Sequence, residues 1–483
     1  MTGQQLLIGG EWTAAASGRE YEQHFPYTGE VVGRAAAAEP QDASAAVDAA
    51  WAAFGEWSGS QPAVRRGVLS KAADLLSERA EEIAGIVTEE TGAVFGWGMF
   101  NVELASAMLR EAAAQAYGLV GEVIPSDVPG KLAMGVRQPA GVVAAIAPWN
   151  APVILATRAV ATPLAYANTV VLKSSELCPR THASVVRALV DAGVPPGVIN
   201  LISCDRTDAG GVVDALIEHP ATRRINFTGS TRVGRIIAEK AGRHLKRVLL
   251  ELGGKAPMVV LRDADLDRAA AAASFGAFFH QGQICMSTER IVVDAAVADS
   301  LSQKLAGRAR ALPVGDPRDS GTAIGPLINR EALERVEELV QDAVSGGAEV
   351  LSGGEPDGPC FPPTVLKGVT PKMRVYSEES FGPLVAIVPV EGPDEAVKVA
   401  NDTDYGLAAA VFSEDVPAAM ELAQRIESGI CHVNDTTVHD EPQMPFGGVK
   451  GSGWGRFGGR AALEEFTELR WITVQEQPRT YPM

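Results

Sequence analysis

GVVAAIA, residues 141–147, is an unbroken run of small and branched apolar side chains. Four runs of the same texture follow: TVVLK (169–173), VINLI (198–202), RINFT (224–228) and RVLLEL (247–252). A half-exposed strand alternates apolar with polar residues, whereas a strand buried on both faces reads as one continuous apolar run. Helical stretches separate the runs, so they predict an α/β unit with a parallel, doubly wound sheet. A second α/β series follows. Its expected helices cover 265–281, 297–310 and 331–345, and its strands are RIVVD (290–294), PLVAIVPV (383–390) and ICHVN (430–434). The two units join near residue 253. Upstream, residues 39–116 are alanine-rich and helical in pattern.

Two segments lack an obvious place in either sheet. GEVIPSDVPGKLAMGVRQP (121–139) alternates around a central Pro-Gly, as a β-hairpin does, and ELRWITVQ (468–475) alternates like a strand. Either they form a short local ribbon or they pair across a subunit boundary.

A chain of 483 residues has room for two or three domains with substantial cores. Its formal net charge of −18 repels nucleic acid phosphates and anionic lipid surfaces, so neither is an expected partner. The most apolar stretch, GVVAAIAPWNAPVILATRAV, is broken by two prolines, Asn150 and Arg158, and does not read as a membrane span. The opening MTGQQLLIGGEW has no basic segment followed by an apolar one, so no secretory leader is expected. Five cysteines (178, 204, 285, 360 and 431) are scattered, odd in number and free of CxxC pairs. They point to a reducing cytoplasm and away from a disulfide framework. Seven histidines show no metal-ligand spacing, so no metal is expected.

Open parallel sheets bind ligands beyond the carboxyl ends of their strands. TVVLKSSE puts Lys173 and Glu176 there. RINFTGSTRVG puts Gly229, Ser230 and Gly234 in a strand-to-helix turn, whose free N–H groups suit a pyrophosphate. RVLLELGGK ends on Glu251 and two glycines, which implies that the backbone there approaches something closely. Each feature taken singly is compatible with an ordinary structural role. FFHQGQICMST (278–288) is different, because it sets Cys285 just past a turn rich in glycine and glutamine. A free thiol is only about 3% ionised at neutral pH, so a nucleophilic cysteine needs help from its surroundings. Backbone N–H groups at an element end and a polar rim are one source of it. A buried, inert cysteine is the alternative, and it is the reading given to the other four.

WN (149–150), KSSE (173–176), FTGS (227–230), ELGGK (251–255), GQIC (282–285), EESFGP (378–383) and PFGGVKGSG (445–453) occur in one order. Together they resemble the NAD(P)-dependent aldehyde dehydrogenase superfamily over essentially the whole chain. GGKAPMVVL, FHQGQICMSTERI and VHDEPQMPFGGVKGSGWGRFGG are similar to its bacterial aromatic-aldehyde branch, the benzaldehyde, salicylaldehyde and vanillin dehydrogenases. The resemblance implies a dinucleotide-binding domain over 1–118 and 140–252 and a catalytic domain over 253–450. It implies an oligomerisation element from 119–139 and 464–483, and hence a homodimer or homotetramer.

It further implies that Cys285 is the nucleophile, Glu251 the general base and Asn150 the oxyanion-hole side chain. Trp149, Gly229, Ser230 and Gly234 would meet the cofactor pyrophosphate, Lys173 and Glu176 the adenosine ribose, and Glu379 and Phe381 the nicotinamide riboside. Glu176 suits ribose hydroxyls and repels a 2′-phosphate, so NAD is expected over NADP. Ala151 stands where the family often has a bulky aromatic residue, and Arg158 where it often has an aromatic one. Ala151, Phe100, Phe279, Ile284, Met286 and His439 are therefore expected to line a pocket for a flat ring. Arg158 either faces that pocket or pairs with an internal carboxylate, since a buried guanidinium needs an anion or several acceptors. An aliphatic aldehyde or semialdehyde is the alternative substrate. CoA-acylating relatives typically lack the glutamate at position 251. A cysteine esterase would leave FTGS and EESFGP unexplained, and a non-catalytic homologue would leave the intact Cys285, Glu251 and Asn150 unexplained.

Overall fold

The computed structural model describes residues 3–481 and 483; Met1, Thr2 and Pro482, at the ends of the expected outer segments, lie outside it. All five apolar runs are strands and lie side by side in one sheet. The order is Arg247–Glu251, Thr222–Thr228, Val142–Ile146, Thr169–Lys173 and Ile199–Ile202, all parallel. Every residue of Val142–Ile146 and of Thr169–Lys173 is buried, because helices cover both faces. The chain winds outward on one side of Val142–Ile146, then returns to add Thr222–Thr228 on the other. That reversal opens a crevice between the carboxyl ends of these two strands, where a doubly wound sheet accepts a ligand.

Antiparallel strands close both edges. Leu6–Ile8 and Glu11–Thr13 extend one side, and Gly453–Trp454 pairs with Leu250 and Glu251 on the other. Neither edge was expected from the sequence. The second edge means that the chain returns to the first sheet at Gly453–Trp454, just beyond residue 450.

The second sheet runs Glu349–Ser352, Thr364–Lys367, Leu384–Val390, Thr288–Asp294, Ala256–Val260, Ala408–Phe412 and Ile430–Val433, parallel except at its first strand. The expected strands at 290–294, 383–390 and 430–434 are present. Ala256–Val260 and Ala408–Phe412 were not foreseen, since the first continues the apolar texture of 247–252 and AAAVF carries a helical composition.

The hairpin and the tail find each other within one chain. Thr467–Gln475 lies antiparallel to Lys131–Pro139 along its whole length, and Glu122–Ile124 completes a three-stranded sheet. Of the two alternatives the chain itself forms the local ribbon, because the alternating patterns match each other in length and register. No helix among the described residues is long and apolar enough to cross a membrane.

Four helices, Pro40–Ser58, Pro62–Glu78, Ala80–Thr91 and Phe95–Gln115, make up the helical upstream region. One of them supports the ligand end of the first sheet. The helix Pro179–Ala192, which follows Lys173 and Glu176, has no cap from its own N-cap residue, Cys178. Glu90 supplies one from Ala80–Thr91: its buried carboxylate accepts the N–H groups of Arg180 (3.0 Å) and Thr181 (2.9 Å) and the Thr181 hydroxyl (2.7 Å). Glu90→Ala strands these donors in the interior. The expected result is a loss of about 3 kcal/mol of stability, read as a lowered urea midpoint.

Candidate active site

The helix leading to Cys285 ends three residues earlier than its sequence pattern suggests. Leu266–Phe278 is regular, and Phe279–Gly282 is a kinked turn in which His280, Gln281 and Gly282 all have positive φ (50°, 55° and 69°). Two consecutive non-glycine residues in that region require outside support. The His280 ring stacks on Trp97 at 4.6 Å and 10°. The Gln281 amide donates to the carbonyls of Pro326 (3.0 Å) and Gly92 (3.3 Å), and Gln283 Oε1 accepts the Ile328 N–H at 3.0 Å. The glutamines are thus the fastenings of the hinge. Gly282 is required there, since a Cβ would lie 2.1 Å from the Gly382 carbonyl oxygen.

Asn150 follows the central strand of the first sheet, and its amide donates to the Gln283 carbonyl at 2.9 Å. Its own carbonyl accepts from Trp97 Nε1 at 3.1 Å. The Asn150 amide is thereby turned toward the backbone that carries Cys285, with a second N–H left to donate. The two glycines of ELGGK are explained by close approach. A Cβ on Gly254 would meet the Cys285 carbonyl oxygen at 2.2 Å, and one on Gly253 would meet the Glu379 carboxylate at 2.5 Å.

Cys285 and Asn150 stand in the wall between two cavities. The larger, about 510 Å³, is aromatic and apolar. Phe100, Ala151, Arg158, Phe279, Ile284, Met286 and His439, all expected at the pocket, line it. So do Trp97, Leu104, Ile154, Phe275, Phe446 and Asp440, which sequence reasoning missed. Trp97 and Phe275 sit on helices where an aromatic residue reads as ordinary core. Asp440 had a signal, namely the need of Arg158 for an anion.

The smaller cavity, about 220 Å³, occupies the crevice at the strand reversal. Trp149, Gly229, Ser230, Glu251, Glu379 and Phe381 line it. Trp149 and Phe381 face each other edge to face at 5.8 Å. Lys173 and Glu176 lie one strand over, 3.9 Å apart, and do not line this cavity. Gly234 is a packing residue: it sits within the helix Thr231–Arg243, where a Cβ would strike Leu252 at 2.5 Å. The expected place for it in the phosphate turn is corrected accordingly.

The Glu251 carboxyl is pushed up to about 7 by burial, against the opposing pull of Arg158 and of its hydrogen bond with Cys285. Its Oε1 has no partner among the described residues. Burial, followed by the charge of Glu251, also holds the Cys285 thiol well above its ordinary range. The hinge N–H groups therefore do not by themselves make an acidic thiol, and the adjacent carboxylate is the available proton acceptor. Arg158 pairs with the buried Asp440 and lies over the Phe446 ring at 4.1 Å. Both expectations for Arg158 hold at once, since it has an internal carboxylate and it faces the cavity. Among the described residues no group of three or more His, Cys, Asp or Glu side chains is placed to hold a metal ion.

The family model described as "Aldehyde dehydrogenase family" matches residues 12–472. The chain is 57% identical over 478 residues to vanillin dehydrogenase of Pseudomonas sp. strain HR199, with 99% of each chain covered. It is 43% identical over 479 residues to salicylaldehyde dehydrogenase of Pseudomonas sp. strain C18, again with 99% of each covered. The crystal structure of salicylaldehyde dehydrogenase from Pseudomonas putida G7, complexed with salicylaldehyde, superposes with a TM-score of 0.98 at 43% identity over 99% of both chains. A cysteine-bearing hinge, a buried carboxyl and a crevice at the strand reversal thus accompany similarity along nearly the full length: this chain belongs to the aldehyde dehydrogenase family.

Proposed function

We propose that this enzyme oxidises aromatic aldehydes bearing ring hydroxyl or methoxy groups to carboxylic acids, with NAD and water as co-reactants. One observation carries the reading: Cys285 and Asn150, with Leu155 beside them, line both an aromatic cavity and the crevice at the strand reversal. The similarity to vanillin and salicylaldehyde dehydrogenases supports the substrate class. The crevice suits a dinucleotide. Gly229 and Ser230 sit at the amino end of a 13-residue helix, where N–H groups and the helix dipole favour an anion, and the Glu379 carboxyl lines the same space. When bound there, the nicotinamide supplies the hydride acceptor. Trp149, Ser230, Glu379 and Phe381 would hold that half, and Lys173 and Glu176 the adenosine ribose.

The chain's own residues do the rest. The thiol passes its proton to Glu251, and the sulfur of Cys285 bonds to the aldehyde carbon. The Asn150 amide and the Cys285 backbone N–H receive the oxyanion, and losing one such donor typically costs about 3–4 kcal/mol of barrier. Loss of hydride from the former aldehyde carbon leaves a thioester on Cys285. Glu251, having given up the thiol proton to solvent, takes a proton from water as the hydroxide adds to the thioester carbon; the adduct collapses, the acid departs and the released sulfur recovers a proton from Glu251. The fit of flat rings follows from Ala151, which leaves space, and from the aromatic walls. Arg158 donates from one amino group to Asp440 and makes no other hydrogen bond among the described residues, so its remaining N–H groups are open to a ring oxygen. The three-stranded sheet exposes Trp471 (76%) and Val123 (74%), which suits a homo-oligomer contact. Five free cysteines suit the expected cytoplasmic setting.

A panel of aromatic and aliphatic aldehydes, followed by NADH formation with NAD and NADP side by side, tests this directly. Vanillin-type aldehydes with NAD are expected to give the highest kcat/KM; an aliphatic preference, or equal use of NADP, contradicts the reading. Arg158→Leu, made alone and with Asp440→Asn so that no lone carboxylate is left buried, should lower kcat/KM for hydroxylated benzaldehydes about tenfold relative to benzaldehyde. An unchanged ratio removes Arg158 from substrate recognition.

Glu251 works as a base only when ionised, and its carboxyl sits at about 7. Turnover should therefore fall as pH drops below about 7 and level off above it. Glu251→Gln should abolish that limb and slow turnover about 10²- to 10⁴-fold, in the first turnover of NADH as well as the steady state, because the same carboxylate receives the thiol proton and activates water.

A further inference from the structure

One buried carboxylate ties together three of the motifs. Glu289 is the second residue of the strand Thr288–Asp294, four positions past the nucleophile, and is almost wholly enclosed. Its Oε2 accepts from Lys255 Nζ at 2.5 Å, the lysine being the last residue of ELGGK. Its Oε1 accepts from the Ser380 N–H (2.9 Å), the Ser380 hydroxyl (2.9 Å) and the Phe381 N–H (3.2 Å). Lys255, like Glu289, is buried, so each charge compensates the other where water does not reach.

The loop that Glu289 holds needs holding. Phe381 has φ +50°, a left-handed backbone that a bulky aromatic residue seldom adopts. That conformation turns its ring across the crevice toward Trp149. On the other side of Ser380, the Glu379 carboxylate accepts the Gly254 N–H at 2.8 Å and lines the same cavity. Glu289 itself does not line either cavity. It grips the backbone between the two residues that do.

We infer that Glu289 is a positioning residue for the nicotinamide half of the dinucleotide: by fixing Ser380 and the Phe381 N–H, it sets the Phe381 ring and the Glu379 carboxylate in register with Cys285. The inference rests on the proposed role of Glu379 and Phe381 toward the nicotinamide riboside. It goes beyond that role by assigning the seating of those side chains to a group that touches neither cofactor nor substrate. The Lys255–Glu289 pair also fixes the loop relative to the backbone around Gly253 and Gly254, so the cofactor side and the nucleophile side move as one body.

The test uses the full-length protein and calorimetric binding of two ligands, NAD and ADP. ADP lacks the nicotinamide riboside and reports the rest of the site. Glu289→Gln is expected to weaken NAD binding about tenfold and to leave ADP within about twofold of the parent. Ser380→Ala, which removes one bond to the carboxylate and no charge, should act in the same direction and more weakly. Hydrolysis of p-nitrophenyl acetate without NAD, which needs the thiol and not the loop, should persist in both. If Glu289→Gln fails to fold because Lys255 is left unpaired, Lys255→Met/Glu289→Gln removes both charges and carries the same expectation. Unchanged NAD binding in a folded Glu289 variant, with Phe381→Ala still weakening it, overturns the inference and leaves the cofactor reading standing. Equal weakening of NAD and ADP marks a general structural loss and overturns it too. If Phe381→Ala binds NAD like the parent, the cofactor reading fails and takes the inference with it.

Discussion

The hydrogen bond from the Asn150 amide to the Gln283 carbonyl spans the two halves of the molecule. Asn150 is fixed by the central strand of the first sheet, and Gln283 belongs to the hinge that leads into the second. Cys285 lines both the aromatic cavity and the crevice at the strand reversal, so an error in the placement of either sheet appears at the sulfur. Reacting groups tolerate errors of only about 0.5 Å. The hinge is accordingly held by side-chain amides at Gln281 and Gln283, and by an aromatic stack at His280. Buried amide bonds are costly to leave unmade, which makes such a junction cooperative and stiff.

The electrostatics around this junction are those of a site short of water. Glu251 sits at about 7 and Glu379 at about 8, in each case chiefly because burial disfavours the charged carboxylate. The Cys285 thiol is driven up by the same cause. A lone thiolate beside an ionised Glu251 would place two negative charges in a low-dielectric cleft. Passing the thiol proton to Glu251 keeps one negative charge before and after, so it escapes most of that penalty. Arg158 favours the charged form of both groups, which places a cation of the substrate cavity within electrical reach of the chemistry.

The strands of the first sheet were legible because burial on both faces leaves one texture, seen in Val142–Ile146 and Thr169–Lys173. Motif order pointed to Cys285, Glu251 and Asn150, which do line one crevice, and the seven expected pocket residues do share a cavity. What was hidden depends on tertiary contact. Nothing in FFHQGQIC says that His280 and Gln281 leave the helix, since their support comes from Trp97, Gly92 and Pro326, far away in sequence. Gly234 resembled a phosphate-turn glycine, and only its approach to Leu252 shows that it serves packing. Glu289 carried no signal, because a charged residue near the start of a strand gives no hint of the loop it will grip.

The pairing of Arg158 with Asp440 bears on what kind of ring the cavity accepts. An unpaired guanidinium in an apolar chamber would demand an anion. With Asp440 beside it the cation is already neutralised, and its face rests on Phe446. A carboxylate on the ring would then add an uncompensated charge to a chamber whose one cation is already paired with Asp440, and desolvation opposes that strongly. A neutral hydroxyl or methoxy oxygen needs only a donor, and Arg158 still has free N–H groups to offer. On the proposed reading the chamber would discriminate by polarity rather than by charge, and phenolic and methoxylated aldehydes suit it better than carboxylated ones.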